Sequence, residues 1–269
     1  MKEFGYGPPL VLLPGIQGRW EWMAPTVHAL ARSFRVLTSS LPGEPGSLVP
    51  HDRAAGFGMF LDLVDRMLDR VGVERAVVCG VSYGGLISAA YAAARPERVQ
   101  KLVLASAPGP RWKPDARVRG YLQKPLASVP GFAIGAIGRL YPEVVSVFPA
   151  WGSRSAFLAR HLTRVLTAGV SPRRMAERIE LAGTVDFVAA CRRISAPTLV
   201  IAGEPHLDRV VPVGGMSDYV TLIPDARFTT LAGCGHIGMV TRADAFAALV
   251  AEFVRNGVAT PVRAPENAS

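Results

Sequence analysis

A serine stands between two glycines in Gly80-Val81-Ser82-Tyr83-Gly84, after the apolar run 76–79 and before a stretch rich in alanine and leucine. A chain that turns from strand to helix at one residue strains that residue and holds its side chain clear of the backbone. Glycines two positions to either side remove the β-carbons that would collide. The helix that follows aims its first amides at charge developing beside the hydroxyl. The chemistry this suggests is attack on a carbonyl, which needs a base and a group to orient the base. His236, in Gly233-Cys234-Gly235-His236, is the candidate base, and the loop 203–212 offers two carboxylates, Glu204 and Asp208. Asp208 is the expected orienting acid. Each has an ordinary reading beside the chemical one: a lone histidine is usually structural or exposed, and a loop aspartate usually caps its own loop. The turn Pro14-Gly15-Ile16-Gln17-Gly18 is either a plain strand ending or a device that sets the Ile16 amide across from the Tyr83 amide, giving an oxyanion two donors. Gln17 and Trp20 are the candidate substrate-binding side chains.

These residues need elements to position them. Short apolar runs at 9–14, 35–39, 76–79, 99–105, 197–202 and 226–231 read as strands. Residues 24–33 suit a helix, and over 54–71 Phe57, Phe60, Leu61, Val64, Met67, Leu68 and Val71 recur at helical spacing. A helix follows Gly85 as far as Ala94, and another closes the chain over 243–254. Such alternation predicts an α/β fold, a parallel sheet with helices on both faces and ligands at the carboxyl ends of the strands. The alternation breaks after Ala107. Residues 108–183 carry helix patterns at 132–140, 155–168 and 171–182 and no convincing strand. Residues 1–107 and 184–257 therefore read as one core, 108–183 as an all-helical insert, and 258–269 as a frayed tail. Trp112, Tyr121, Phe132, Tyr141, Phe148, Trp151 and Phe157 of the insert either roof a pocket or form its own core.

At 269 residues and 49% hydrophobic the chain can bury a large core. The net charge of +9 is concentrated. Residues 108–193 hold 14 Lys and Arg against 5 Asp and Glu, while the remainder holds 16 of each. That surplus is either a solvated face or an attraction for an anionic ligand or surface. Cys79, Cys191 and Cys234 are odd in number and far apart, which suggests inert thiols without a metal. No apolar run reaches spanning length and Glu3 spoils a signal-peptide start, so a cytoplasmic protein without an integral membrane segment or a nucleic-acid partner is expected.

With Pro14-Gly15-Ile16, Gly80-Val81-Ser82-Tyr83-Gly84, Gly203-Glu204 followed by Asp208, and Gly235-His236 in this order at strand ends, the sequence resembles the alpha/beta-hydrolase superfamily over most of residues 9–256, outside the insert. The resemblance implies a triad of Ser82, Asp208 and His236, with oxyanion donors at Ile16 and Tyr83, and calls for no metal or organic cofactor. It also implies that the insert is a lid or cap shaping the pocket for a small acyl substrate, the whole being a carboxylesterase. The chain departs from the pattern in having Pro14 where relatives carry histidine and Ser39-Ser40 where they often carry aspartate. Only seven residues precede Pro8, so a sheet of about six strands is expected. Carbon–carbon bond hydrolases and cofactor-free haloperoxidases share the triad, and haloalkane dehalogenases differ in placing aspartate where Ser82 stands. A small-molecule receptor on the same scaffold is the alternative of another class.

Overall fold

The computed structural model describes residues 1–256, without the side chains of residues 129, 130, 132 and 133. The expected tail over 258–269 and the Phe132 side chain thus lie outside the described residues. In chain order the elements are β1 (Lys2–Phe4), β2 (Pro9–Leu13), α1 (Ala24–Leu30), β3 (Arg35–Thr38), α2 (Gly58–Asp69), β4 (Ala76–Val81), α3 (Tyr83–Ala94) and β5 (Val99–Ala105). The insert helices follow as α4 (Ala116–Gln123), α5 (Val129–Val147), α6 (Trp151–Thr167) and α7 (Pro172–Ala182). The chain then runs through α8 (Phe187–Arg192), β6 (Thr198–Ala202), α9 (Ser217–Leu222), β7 (Ala226–Thr230), α10 (Gly238–Thr241) and α11 (Ala243–Asn256).

The strands form one sheet in the order β1-β3-β2-β4-β5-β6-β7, parallel except for β1. About six strands were expected and seven are present. The additional one is the three-residue β1, too short and too exposed for a hydrophobic pattern to show, which pairs antiparallel to β3 through Glu3 and Leu37. The central strands are buried on both faces. Val11, Val78, Leu102 and Val200 point toward α2, α3 and α8, whereas Leu10, Val77, Val103 and Leu199 point toward α1 and α11. The order of strands reverses between β2 and β4, and an open parallel sheet leaves a crevice for ligands at such a point. Gly15 and Ser82 leave those two strands.

No strand occurs among the described residues of 108–183. The structure lengthens the helix expected over 132–140 at both ends and the one over 155–168 at its start, keeps the third at 172–182, and adds α4, which starts where Asp115 accepts the Val118 amide at 2.7 Å. The pattern at 132–140 ends before Pro142, yet α5 continues through that proline to Val147. Pro142 removes one intrahelical bond, and the turn beyond it is held by tertiary packing, with Val144 buried in the core beneath. Ser171 caps α7 by accepting the Arg174 amide, as its position before Pro172 suggests. Phe148 and Phe157 stack at 4.7 Å inside the insert, while Trp151, Leu158, Leu162 and Leu166 of α6 face outward. Trp151 is 75% exposed, so the expected aromatic roof is divided between insert core and outer surface.

Candidate active site

Ser82 occupies the one-residue junction between β4 and α3 with φ 52° and ψ −118°. A non-glycine residue held there costs on the order of 1–3 kcal/mol, supplied by the six buried residues of β4 before it and the largely buried α3 after it. The flanking glycines are required by close approach. A β-carbon on Gly80 would strike the Gly84 carbonyl, and one on Gly84 would strike the Leu13 carbonyl of β2. The same contact draws the turn after β2 against the serine. A β-carbon on Gly15 would lie 3.5 Å from Ser82 Cβ and 3.2 Å from Gln17 Oε1, so both side chains border the same point of the turn. Of the two expected binding side chains, Gln17 is thereby brought to the serine. Trp20 is not: it packs on Phe4, ring centroids 5.5 Å apart, at the edge of the core.

The loops after β6 and β7 meet over a glycine contact in the same way. A β-carbon on Gly203 would run into the Gly235 backbone, and Glu204 Oε1 accepts the Gly233 amide at 2.6 Å. Glu204, the second carboxylate of its loop, thus ties the two loops together. The result brings His236 between two partners. Its Nδ1 lies 3.2 Å from Asp208 Oδ2 and its Nε2 lies 3.2 Å from Ser82 Oγ. An ionised carboxylate only accepts, so Nδ1 carries the proton and Nε2 presents a lone pair to the serine hydroxyl. Both readings of Asp208 hold at once, on different oxygens: Oδ1 accepts the amides of Val210 and Val211 at 3.0 and 3.1 Å. Burial by itself would raise the Asp208 carboxyl, but the His236 charge and hydrogen bond and the two amides outweigh it and hold the group below its usual range. This acid therefore stays charged beside the imidazole.

One residue that sequence reasoning missed reaches the turn after β2 from the insert. Arg178 of α7 is 2% exposed. Its Nη1 donates to the Ile16 carbonyl at 2.8 Å, and its Nη2 donates to Glu44 Oε1 at 2.8 Å and to the Pro42 carbonyl at 3.4 Å. The Tyr83 hydroxyl donates to the Arg178 carbonyl at 2.7 Å, so one insert residue ties the Ile16–Gln17 peptide and the ring of Tyr83 together. Among the 12 Lys and Arg of the insert no local signal marks this one. Removing one partner of a buried ion pair leaves the other charge uncompensated, so Arg178→Met is expected to lower the unfolding free energy by about 3–5 kcal/mol. The double variant Arg178→Met/Glu44→Met should recover most of that loss in urea titrations. A loss below about 1 kcal/mol for the single change would mark the pair as an ordinary surface contact.

The three cysteines are buried and free, and burial pushes each thiol up to about 12. Cys234, two residues from the base, donates to the Leu231 carbonyl at 3.0 Å. No group of three or more His, Cys, Asp or Glu arranged to hold a metal ion occurs among the described residues. No helix among them is long and apolar enough to cross a membrane.

Comparison with known proteins agrees with this fold. A model of the alpha/beta hydrolase fold matches residues 8–243. The chain belongs to the alpha/beta hydrolases. Its relatives include a poly(3-hydroxyalkanoate) depolymerase of Ectopseudomonas oleovorans, 29% identical over 97% of this chain and 89% of that protein. A pimeloyl-[acyl-carrier protein] methyl ester esterase of Aromatoleum aromaticum is 29% identical over 92% of this chain and 98% of that protein. Among solved structures, a hydrolase from Pseudomonas aeruginosa PA01 superposes on this alpha/beta hydrolase with a TM-score of 0.78 at 25% identity, covering 94% of this chain and 93% of the other.

Proposed function

We propose that this alpha/beta hydrolase cleaves a carboxylic ester or related acyl substrate through an acyl-enzyme on Ser82. The observation that carries the reading is His236 lying 3.2 Å from both Asp208 and Ser82. Ser82 Oγ attacks the substrate carbonyl carbon as its proton passes to His236 Nε2, forming a tetrahedral oxyanion. The oxyanion is met by the Tyr83 amide, at the start of α3 where no intrahelical acceptor competes, and by the Ile16 amide, next to the Ile16–Gln17 peptide whose carbonyl Arg178 holds. The carbon–oxygen bond to the leaving group then breaks, and His236 returns the proton to the departing oxygen. Water, deprotonated by His236, attacks the acyl carbonyl, and Ser82 leaves with the proton as the acid is released.

In this reading α4 to α7 form a cap, and its surplus of positive charge suits a substrate with an anionic group or an anionic surface nearby. A relative named as a methyl ester esterase and one named as a poly(3-hydroxyalkanoate) depolymerase support hydrolysis of an acyl substrate. Intact-protein mass spectrometry after exposure to a fluorophosphonate tests it. One adduct on the wild type and none on Ser82→Ala is the expected result, with hydrolysis of short-chain aryl esters. An unlabelled wild type would favour a receptor on this scaffold, and faster cleavage of a vinylogous diketone than of any ester would favour carbon–carbon hydrolysis.

A further inference from the structure

A second carboxylate reaches the candidate base, and it comes from the insert. Glu143 follows Pro142 in α5 and is fully buried. Its Oε2 accepts the Ile237 amide at 3.0 Å and its Oε1 accepts the Thr241 hydroxyl at 3.1 Å. The Gly235 amide lies near enough to favour the charged form of this carboxylate. The peptide N–H groups of the residues on either side of His236 therefore converge on one side chain from a helix 94 positions earlier in the chain. Ile237 is the N-cap of the four-residue α10, whose own sequence offers no capping side chain there. Burial outweighs the Ile237 and Gly235 amides, the Thr241 hydroxyl and the positive charge of His236, and holds the Glu143 carboxyl above its usual range. The hydrogen bonds that this buried carboxylate accepts from an amide and a hydroxyl favour its ionised form. The groups that face His236 are thus Ser82 from the β4–α3 junction, Asp208 from the loop after β6 and Glu143 from α5. Cys234 lies within electrostatic reach of the same carboxylate, and Arg242 turns to the Gly233 carbonyl.

We propose that Glu143 is a positioning residue for the base: through this one carboxylate the insert holds the His236 peptide in register with Ser82 and adds a second negative charge facing the imidazolium. The inference rests on the acyl-enzyme reading above. It makes the insert part of the machinery rather than only a roof, because displacing α5 would release the Ile237 amide and the Thr241 hydroxyl that tie down the loop of His236. Imidazolium formed during the reaction would meet Asp208 directly and Glu143 through the field of a water-poor interior.

Two substitutions separate the charge from the reach. Glu143→Gln keeps the size and an oxygen acceptor but loses the charge. Glu143→Asp keeps the charge but withdraws it by one methylene. With an aryl ester followed from pH 5 to 9, Glu143→Gln should move the acid limb of kcat/KM about one unit lower, since an opposite charge that favoured the imidazolium has gone. Glu143→Asp should keep the acid limb and lose about 10- to 100-fold in kcat with KM within about twofold, as misplacement of a reacting group does. Thr241→Val, which keeps the shape and removes only the hydroxyl, should show a smaller loss of the same kind and guards against a variant that fails to fold. Rates are referred to sites titrated with fluorophosphonate, so that unfolded protein is not counted. Glu143→Gln and Glu143→Asp with wild-type rates per titrated site and an unmoved acid limb, whatever their melting temperatures, would overturn the proposal and leave Glu143 a cap for α10. A wild type that takes up no fluorophosphonate would overturn the acyl-enzyme reading itself, a result distinct from the first.

Discussion

Ser82→Ala is expected to lower kcat by roughly 10⁶-fold, to the background of the ester assay, while the protein remains folded. The size follows from the geometry: without Oγ there is no nucleophile, and His236 and Asp208 have nothing to activate. Stability responds differently. Ser82 is half-buried, and its recorded side-chain contact is the one to His236, so losing the hydroxyl opens no packed cavity. Alanine inherits the φ of 52°, so the backbone strain stays in place. The melting temperature should move by no more than about 2–4 °C, the scale of 1 kcal/mol in a chain of this size. Ser82→Gly offers a contrast, since glycine accepts that φ without strain, and it should be equally inactive but no less stable than the alanine variant. Residual turnover above about one-hundredth of wild type in Ser82→Ala would remove the serine from the mechanism.

Asp208→Asn should cost about 10⁴-fold in kcat, nearly as much as removing a proton acceptor outright. Oδ1 is committed to the amides of Val210 and Val211, so an asparagine keeps its carbonyl there and turns its NH2 toward His236 Nδ1. Nδ1 must then accept, the ring proton moves to Nε2, and the lone pair facing Ser82 disappears. Stability carries a second signature. The Asp208 carboxyl is held below its ordinary value of 3.8, so its ionised form contributes stability that is fully present above that value and is lost as pH falls through the lower folded one. Asparagine does not titrate, so the variant should lose less stability than wild type between neutral pH and pH values below about 3.8. Urea midpoints measured across that range, with equal acid sensitivity in both proteins, would contradict the assigned environment.

The strand-to-helix junction at Ser82 was legible in the chain because its determinants are local: a buried apolar run, two glycines forced by close approach, and an alanine-rich helix. The same holds for the alternation that gives the parallel sheet, and for Ser171 before Pro172. Asp208 was legible as a choice between two carboxylates. The packing of two loops, with Glu204 tied to Gly233 and Asp208 turned to His236, made the distinction between them. The strand β1 escaped notice because three half-exposed residues carry no period, and its place depends on the edge of β3. The run of α5 through Pro142 escaped for a related reason, since contacts beyond the proline hold a turn that local propensity ends. Sequence alone determined which groups could react and in what order along the chain, because strand, turn and helix chemistry are written within a few residues. Only the tertiary structure decided that Arg178 and Glu143, two charges among an insert's ordinary complement, lie buried against the turn of Ile16 and the loop of His236. A side chain's partners 94 to 162 positions away are set by how whole elements pack, and no local pattern encodes them.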